Sequence, residues 1–224
     1  MKNKLQDQIN HDALLREVVE DVQNERLQQL WNKYGLFIIL GVALILTATI
    51  SFESFRNWQT KKHQEFSNTY SIALSLQGQG RFDESLDIYK TLAEKSSAMY
   101  SDLSKMQIAN IYMEQGRGND AADVLHHMVE SGKTQPQLKV IAALKLASYK
   151  LDHKAPAQEI KDLLLPLIEN GDEIDAAREL LAMLNIREKN MASAKEEYAK
   201  IVSSDTASDE LKARAHDMIN ILDN

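Results

Sequence analysis

The side chains best suited to chemistry are few and badly placed for it. His126 and His127 are adjacent, so on a helix they point about 100° apart and cannot form the i, i+4 pair that a zinc site wants. Glu196 and Glu197 are likewise neighbours, which suits a solvated helix face better than a general acid opposite a general base. Gly78-Gln79-Gly80 reads as a turn and not as part of a dinucleotide fingerprint. The chain has no Cys, hence no thiolate nucleophile, disulfide or zinc ribbon. Neither H-E-x-x-H nor G-x-S-x-G occurs. These features predict a protein without catalysis, cofactor or metal, one whose residues act by binding.

The elements that position such residues follow from composition and period. Over 224 residues, 26 Lys and Arg against 33 Asp and Glu give a net charge of −7 with no basic run, which argues against a nucleic-acid partner. Only three Pro, none before Pro136, with much Ala, Leu, Glu, Lys and Gln, predict an all-α chain. From Phe66 onward one pattern recurs. Ile72, Ala73 and Leu76 precede a turn at Gly80-Arg81-Phe82, then Ser85, Tyr89 and Leu92; Ile108, Ala109 and Tyr112 precede Gly116-Arg117-Gly118, then Ala121, Leu125 and Met128. Ala147, Ser148 and Leu151 precede a turn from Asp152 to Ala155, then Ile160, Leu164 and Leu167. Leu181, Ala182 and Asn185 precede Lys189-Asn190-Met191, then Ala194, Tyr198 and Ile201. From Ser85 to Ala121, Ile160 and Ala194 the steps are 36, 39 and 34 residues.

A helix-turn-helix of about 34 residues, with small residues at the crossing and an aromatic in the second helix, resembles the tetratricopeptide repeat. Four hairpins are expected, closed by a capping helix over Ser208 to Leu222 with Leu211, Ala215, Met218, Ile219 and Leu222 on its apolar side. Pro136 and Pro156 are expected in first turns, and Pro166 should kink or shorten its helix. In a stacked solenoid the first helices line the concave side. The register places Tyr70, Leu74, Leu103, Met106, Asn110, Met113, Lys145, Tyr149, Glu179 and Met183 there as a candidate protein-binding groove. Its Met residues either repack around varied partners or fill core space in degenerate repeats. The basic lining that clamps a peptide carboxylate in some repeat cochaperones is not evident.

A second feature lies upstream. Tyr34 to Phe52 runs nineteen residues without a charge, roughly 28 Å as a helix, about a bilayer's hydrocarbon thickness. Trp31 and Tyr34 flank one end and Phe52, Phe55 and Trp58 the other, as aromatic residues do at headgroup level. Leu36 to Ile50 is apolar all round, which favours an uncleaved membrane anchor over a buried core helix. Arg16, Arg26 and Lys33 balance Arg56, Lys61 and Lys62, so flanking charge leaves the orientation tied. Leu14, Leu15, Val18, Val19, Val22, Leu27, Leu30 and Trp31 recur at helical spacing ahead of the run. They describe a short amphipathic helix that docks on a partner, lies in the interface, or is a frayed tail.

The order DALLREVVEDVQNERLQQLWNKYG, apolar span, then repeats is similar to the YfgM-like ancillary subunits of the bacterial SecYEG translocon. Its most specific part is Arg26-Leu27-x-x-Leu30-Trp31-x-Lys33-Tyr34-Gly35. The resemblance implies a single-pass inner-membrane protein with a cytosolic N-terminus. Its repeat domain would lie in the periplasm, near the translocon and periplasmic chaperones, as an adaptor in the handling of exported proteins. The expected layout is a cytosolic segment at 1–33, a transmembrane helix at 34–55 in contact with lipid, a linker at 56–64 and a repeat domain at 65–224. A different class stays open: a self-associating scaffold, in which Ala43, Thr47 and Ser51 form a small-residue face for helix packing into a homo-oligomer.

Overall fold

The computed structural model describes residues 31, 33–37, 39–41, 44, 47, 56, 60–171 and 173–223. The chain divides into two compact units, Met1–Lys62 and His63–Asn224. In the first, all the described residues are helical. Leu36, Phe37 and Leu44 are each 70% exposed, and Ile39 and Leu40 are exposed as well. Trp31 lies back along this helix so that a Cβ at Gly35 would stand 3.3 Å from its ring. Most of the amphipathic segment and much of the uncharged run lie outside the described residues. Among the described residues no helix is long and apolar enough to cross a membrane.

The second unit is helical throughout, without a strand among the described residues. Residues 63–78 form α1, followed by α2 (Phe82–Lys95), α3 (Ala98–Glu114), α4 (Gly118–Glu130), α5 (Pro136–Asp152), α6 (Ala157–Asn170), α7 (Ile174–Arg187), α8 (Met191–Val202) and α9 (Asp209–Asp223). Four hairpins, α1/α2 to α7/α8, and a final helix give the solenoid expected. Residues 60–64, in the stretch expected to link anchor and repeats, are already helical.

One turn geometry builds every hairpin. The Arg81 N–H bonds to the Leu76 carbonyl and the Gly80 N–H to the Gln77 carbonyl. The same two bonds recur as Arg117 to Tyr112 and Gly116 to Met113, Ala155 to Lys150 and Lys154 to Leu151, Asn190 to Asn185 and Lys189 to Ile186. This is the Schellman closure, which satisfies the last carbonyls of a helix and needs a left-handed residue after it. Gly80 and Gly116 take that conformation at φ +74° and +73°, but Lys154 and Lys189 take it at +55° and +60°. An L-residue is strained there by about 1–2 kcal/mol, so the third and fourth hairpins rely on packing to hold their turns.

That packing is small against small where helices cross. Ala73, Ser85, Ala109, Ala121, Ala147, Ala182 and Ala194 are all buried, and the Ser85 hydroxyl donates to the Ala73 carbonyl across the first crossing at 2.8 Å. Tyr89 is fully buried beside it and donates to Gln77 Oε1 at 3.3 Å; burial pushes its phenol up to about 12, and the Tyr70 hydroxyl adds to the effect. Two buried carboxylates tie down the loops between repeats. Asp102 on α3 accepts the Gln135 N–H at 2.9 Å. Asp175 on α7 accepts the hydroxyls of Ser204 and Thr206 at 2.9 and 2.7 Å.

Two prolines differ in part from expectation. Helix α6 runs on to Asn170, past Pro166, and is not cut short. Pro166 is exposed, so water can take the carbonyl whose N–H partner is missing. Pro136 opens α5 as expected, but Pro156 stands one residue before α6, as its N-cap.

Candidate functional site

Successive first helices touch each other, α3 with α5 and α5 with α7, whereas second helices of adjacent repeats do not pack comparably. The first helices therefore line the inner face of the repeat unit. Between α3 and α5 that face opens into a cleft of about 220 Å³. Helix α5 supplies Lys145, Ser148, Tyr149 and Asp152, spaced i, i+3, i+4, i+7 and so on one stripe. Helix α3 supplies Ala109, Asn110 and Met113, and Leu125 of α4 forms the floor. Leu125 and Ala109 are buried and Met113 is 36% exposed, which gives an apolar base with one flexible thioether at the rim.

Tyr149 is held rather than loose. Its hydroxyl donates to Asn119 Oδ1 at 2.9 Å, and its ring lies 4.0 Å from the His153 ring between centroids. A Cβ on Gly118 would stand 2.5 Å from Tyr149 Cε2; only glycine lets the phenol lie against the start of α4. Next to it Arg117 stacks over Tyr112 at 4.2 Å and pairs with Asp120 at 2.6 Å. The hydrogen bond that Arg117 donates to Asp120 raises the guanidinium pKa further above its ordinary value. On the opposite wall the Asn110 amide donates to Gln107 Oε1 at 3.1 Å, and the Gln107 amide donates to the Tyr70 hydroxyl at 3.2 Å. Lys145 and Asp152, at the two ends of the α5 stripe, have no hydrogen bond or ion pair among the described residues.

Of the ten groove residues read from the sequence, the structure brings Asn110, Met113, Lys145 and Tyr149 together in this cleft. Leu74 and Met183 are exposed elsewhere, at 48% and 43%, and Leu103 is half-buried. Tyr70 packs edge-on against Tyr89 and tilted against Tyr100, centroids 5.4 and 6.0 Å apart. Glu179 is gripped by Arg214 of α9, two N–H groups at 3.1 Å on its two oxygens. Met106 needs correction: it is 7% exposed and belongs to the hydrophobic core. Helix α3 is buried on most of its circumference, so its inner stripe cannot be separated from its core stripe by spacing alone.

Sequence reasoning missed Ser148, Asp152, Gly118 and Asn119. The first two were within reach, since they complete the helical stripe begun by Lys145 and Tyr149. The last two were not, because their role is to hold a side chain thirty residues away. A second open cavity, about 440 Å³, lies where α7 and α9 begin and includes Asp175, Thr206 and Ser208. Asp175 is committed there to Ser204 and Thr206, and Ser208 Oγ to the Leu211 N–H, while Glu173 at its edge is exposed.

The tetratricopeptide repeat-like domain family matches residues 28–167, 140 of the chain's 224 residues. No curated protein and no solved structure matches the chain. The match begins ahead of the uncharged run and ends inside α6, so it contains the run, the first two hairpins, α5 and the whole α3–α5 cleft. With more than half its length inside the family's pattern, and with four hairpins closed by one repeating turn, this chain belongs to the tetratricopeptide repeat-like domain family.

Proposed function

We propose that the chain is a membrane-anchored adaptor whose repeat domain holds other proteins at the bacterial inner membrane, beside the Sec translocon and periplasmic chaperones. A tetratricopeptide-like domain is typically a non-catalytic module for protein–protein interaction, with an extended concave surface as the binding element. The observation that carries the anchored reading is the uncharged run 34–52, long enough as a helix to span the hydrocarbon of a bilayer. The exposure of the helical residues Leu36, Phe37, Ile39, Leu40 and Leu44 supports it, because a helix covered by protein would bury them. The translocon and chaperones enter through the resemblance of the Arg26 to Gly35 segment. The cleft between α3 and α5 is the capture surface in this reading.

The experiment is crosslinking of the full chain in native membranes, after a sodium carbonate wash at alkaline pH. Retention in the washed membrane and products containing translocon subunits or periplasmic chaperones are expected. Release by the wash would overturn the anchor. A ladder of self-products alone would replace the adaptor with a homo-oligomeric scaffold.

A further inference from the structure

The cleft is smaller than a typical ligand pocket and carries a charge at each end, unlike a plain apolar groove. At about 220 Å³ it lies below the roughly 300–1,000 Å³ of small-molecule pockets, and its base of Ala109, Leu125 and Met113 offers room for one apolar side chain. Lys145 and Asp152 stand seven residues apart on α5, about 10 Å along the axis. Both line the cleft, both are exposed, and neither has a partner among the described residues. At the position on α7 that matches Lys145, Glu179 is paired with Arg214. A cation and an anion left unpaired at the two ends of an apolar pocket form a complementary frame for a segment with the reverse order of charge.

Resting on the reading of the repeat domain as a protein-capture module, the geometry points to a specific occupant: an extended protein segment that puts one apolar side chain into the α3–α5 cleft, with an acidic residue against Lys145 and a basic residue against Asp152. In extended chain, residues i, i+2 and i+4 share one side and span about 13 Å. Long side chains at the two ends take up the difference from the 10 Å between the charges of α5. The fitting pattern is acid, any residue, large aliphatic, any residue, base, or its reverse with the segment running the other way. The Tyr149 ring, fixed by Gly118 and Asn119, is the wall that limits the width of the central side chain.

The test uses the full chain in detergent micelles and fluorescein-labelled peptides built around Glu-Ser-Leu-Ser-Arg, read by fluorescence anisotropy. Replacing Leu by Ala in the peptide should weaken binding at least about tenfold, and neutralising either charge about two- to fivefold. Lys145→Glu should reject that peptide and prefer Lys-Ser-Leu-Ser-Arg, a recovery that damage to the fold does not give. Asp152→Lys should in turn prefer Glu-Ser-Leu-Ser-Glu. Equal binding of charged and neutral Leu peptides, or no binding by any of them, overturns the occupant proposed. The membrane crosslinks to translocon or chaperone are read separately, so their survival beside a negative peptide result leaves the adaptor standing while the cleft's specificity falls.

Discussion

The inner face of the repeat unit behaves differently at its middle and at its C-terminal end, although both are built from first helices in the same register. Between α3 and α5, Lys145, Ser148 and Asp152 line a cleft, and the two charges are unpaired among the described residues. At α7, Glu179 occupies a matching position, but Arg214 of α9 takes both of its oxygens, and the Lys195–Asp223 pair and a packed interface hold α9 against α8. Helix α9 stands where the next first helix would come. What makes a stripe of residues a binding surface is therefore whether the following helix offers partners for its polar groups: α9 gives Arg214 to Glu179, whereas α7, which packs on α5, leaves Lys145 and Asp152 unpaired among the described residues.

The largest effect lies behind the cleft, in the core both regions share. Tyr89→Ala should lower stability by roughly 3–5 kcal/mol as a cavity opens beside Ser85 and Tyr70, seen as a large drop in the thermal midpoint. Tyr89→Phe keeps the packing and isolates the phenol. Because the folded pKa is raised to about 12 from an ordinary value near 10, the stabilising contribution is complete below pH 10. It is lost as pH rises from 10 toward 12, so the wild-type midpoint should fall across that window more steeply than that of Tyr89→Phe.

Next in size is the contrast between two aspartates. Asp175→Ala at the closed end removes two hydrogen bonds, those from the hydroxyls of Ser204 and Thr206, and should cost about 1–3 kcal/mol, while Asp152→Ala in the open cleft should leave the midpoint unchanged. Equal losses by thermal denaturation would mean that the cleft is as structural as the cap. Gly118→Ala comes third. The new Cβ must push Tyr149 away from its 2.5 Å clash, so capture of partners should fall severalfold, with stability moving by no more than about 1 kcal/mol since alanine is the better helix former. Smallest is Arg214→Ala, which breaks a partly exposed ion pair at 53% and 26% side-chain exposure. A change of about 0.2–1 kcal/mol is expected, with capture of partners unaltered.

Much of this fold was legible in the sequence, for reasons that the residues make plain. Gly80 and Gly116 announce left-handed turn positions, and Ala73, Ser85, Ala109, Ala121, Ala182 and Ala194 mark the crossings because nothing larger fits. The third and fourth turns were found only by spacing, since Lys154 and Lys189 carry no sign of the conformation they adopt. In the site, Asn110, Met113, Lys145 and Tyr149 followed from the repeat register. Met106 did not, because α3 is packed on most sides and helical period distinguishes faces only when one of them is wet. Glu179 was read as a groove residue because its partner, Arg214, lies 35 residues further on, a distance over which sequence pattern is silent. Tyr70 lost its freedom in the same way, to Tyr100 and Gln107 across a helix pair.

Met113 and Met183 allow the contrast to be measured directly, since both sit on first helices at similar exposure, 36% and 43%, but only Met113 lines the cleft. A photoreactive amino acid placed at each position in turn, in the full chain in native membranes, reports what touches either side chain. Protein crosslinks are expected from position 113, suppressed by Gly118→Ala, and few from position 183. Equal yields at the two positions, or crosslinks from 183 alone, would contradict the assignment of capture to the α3–α5 cleft.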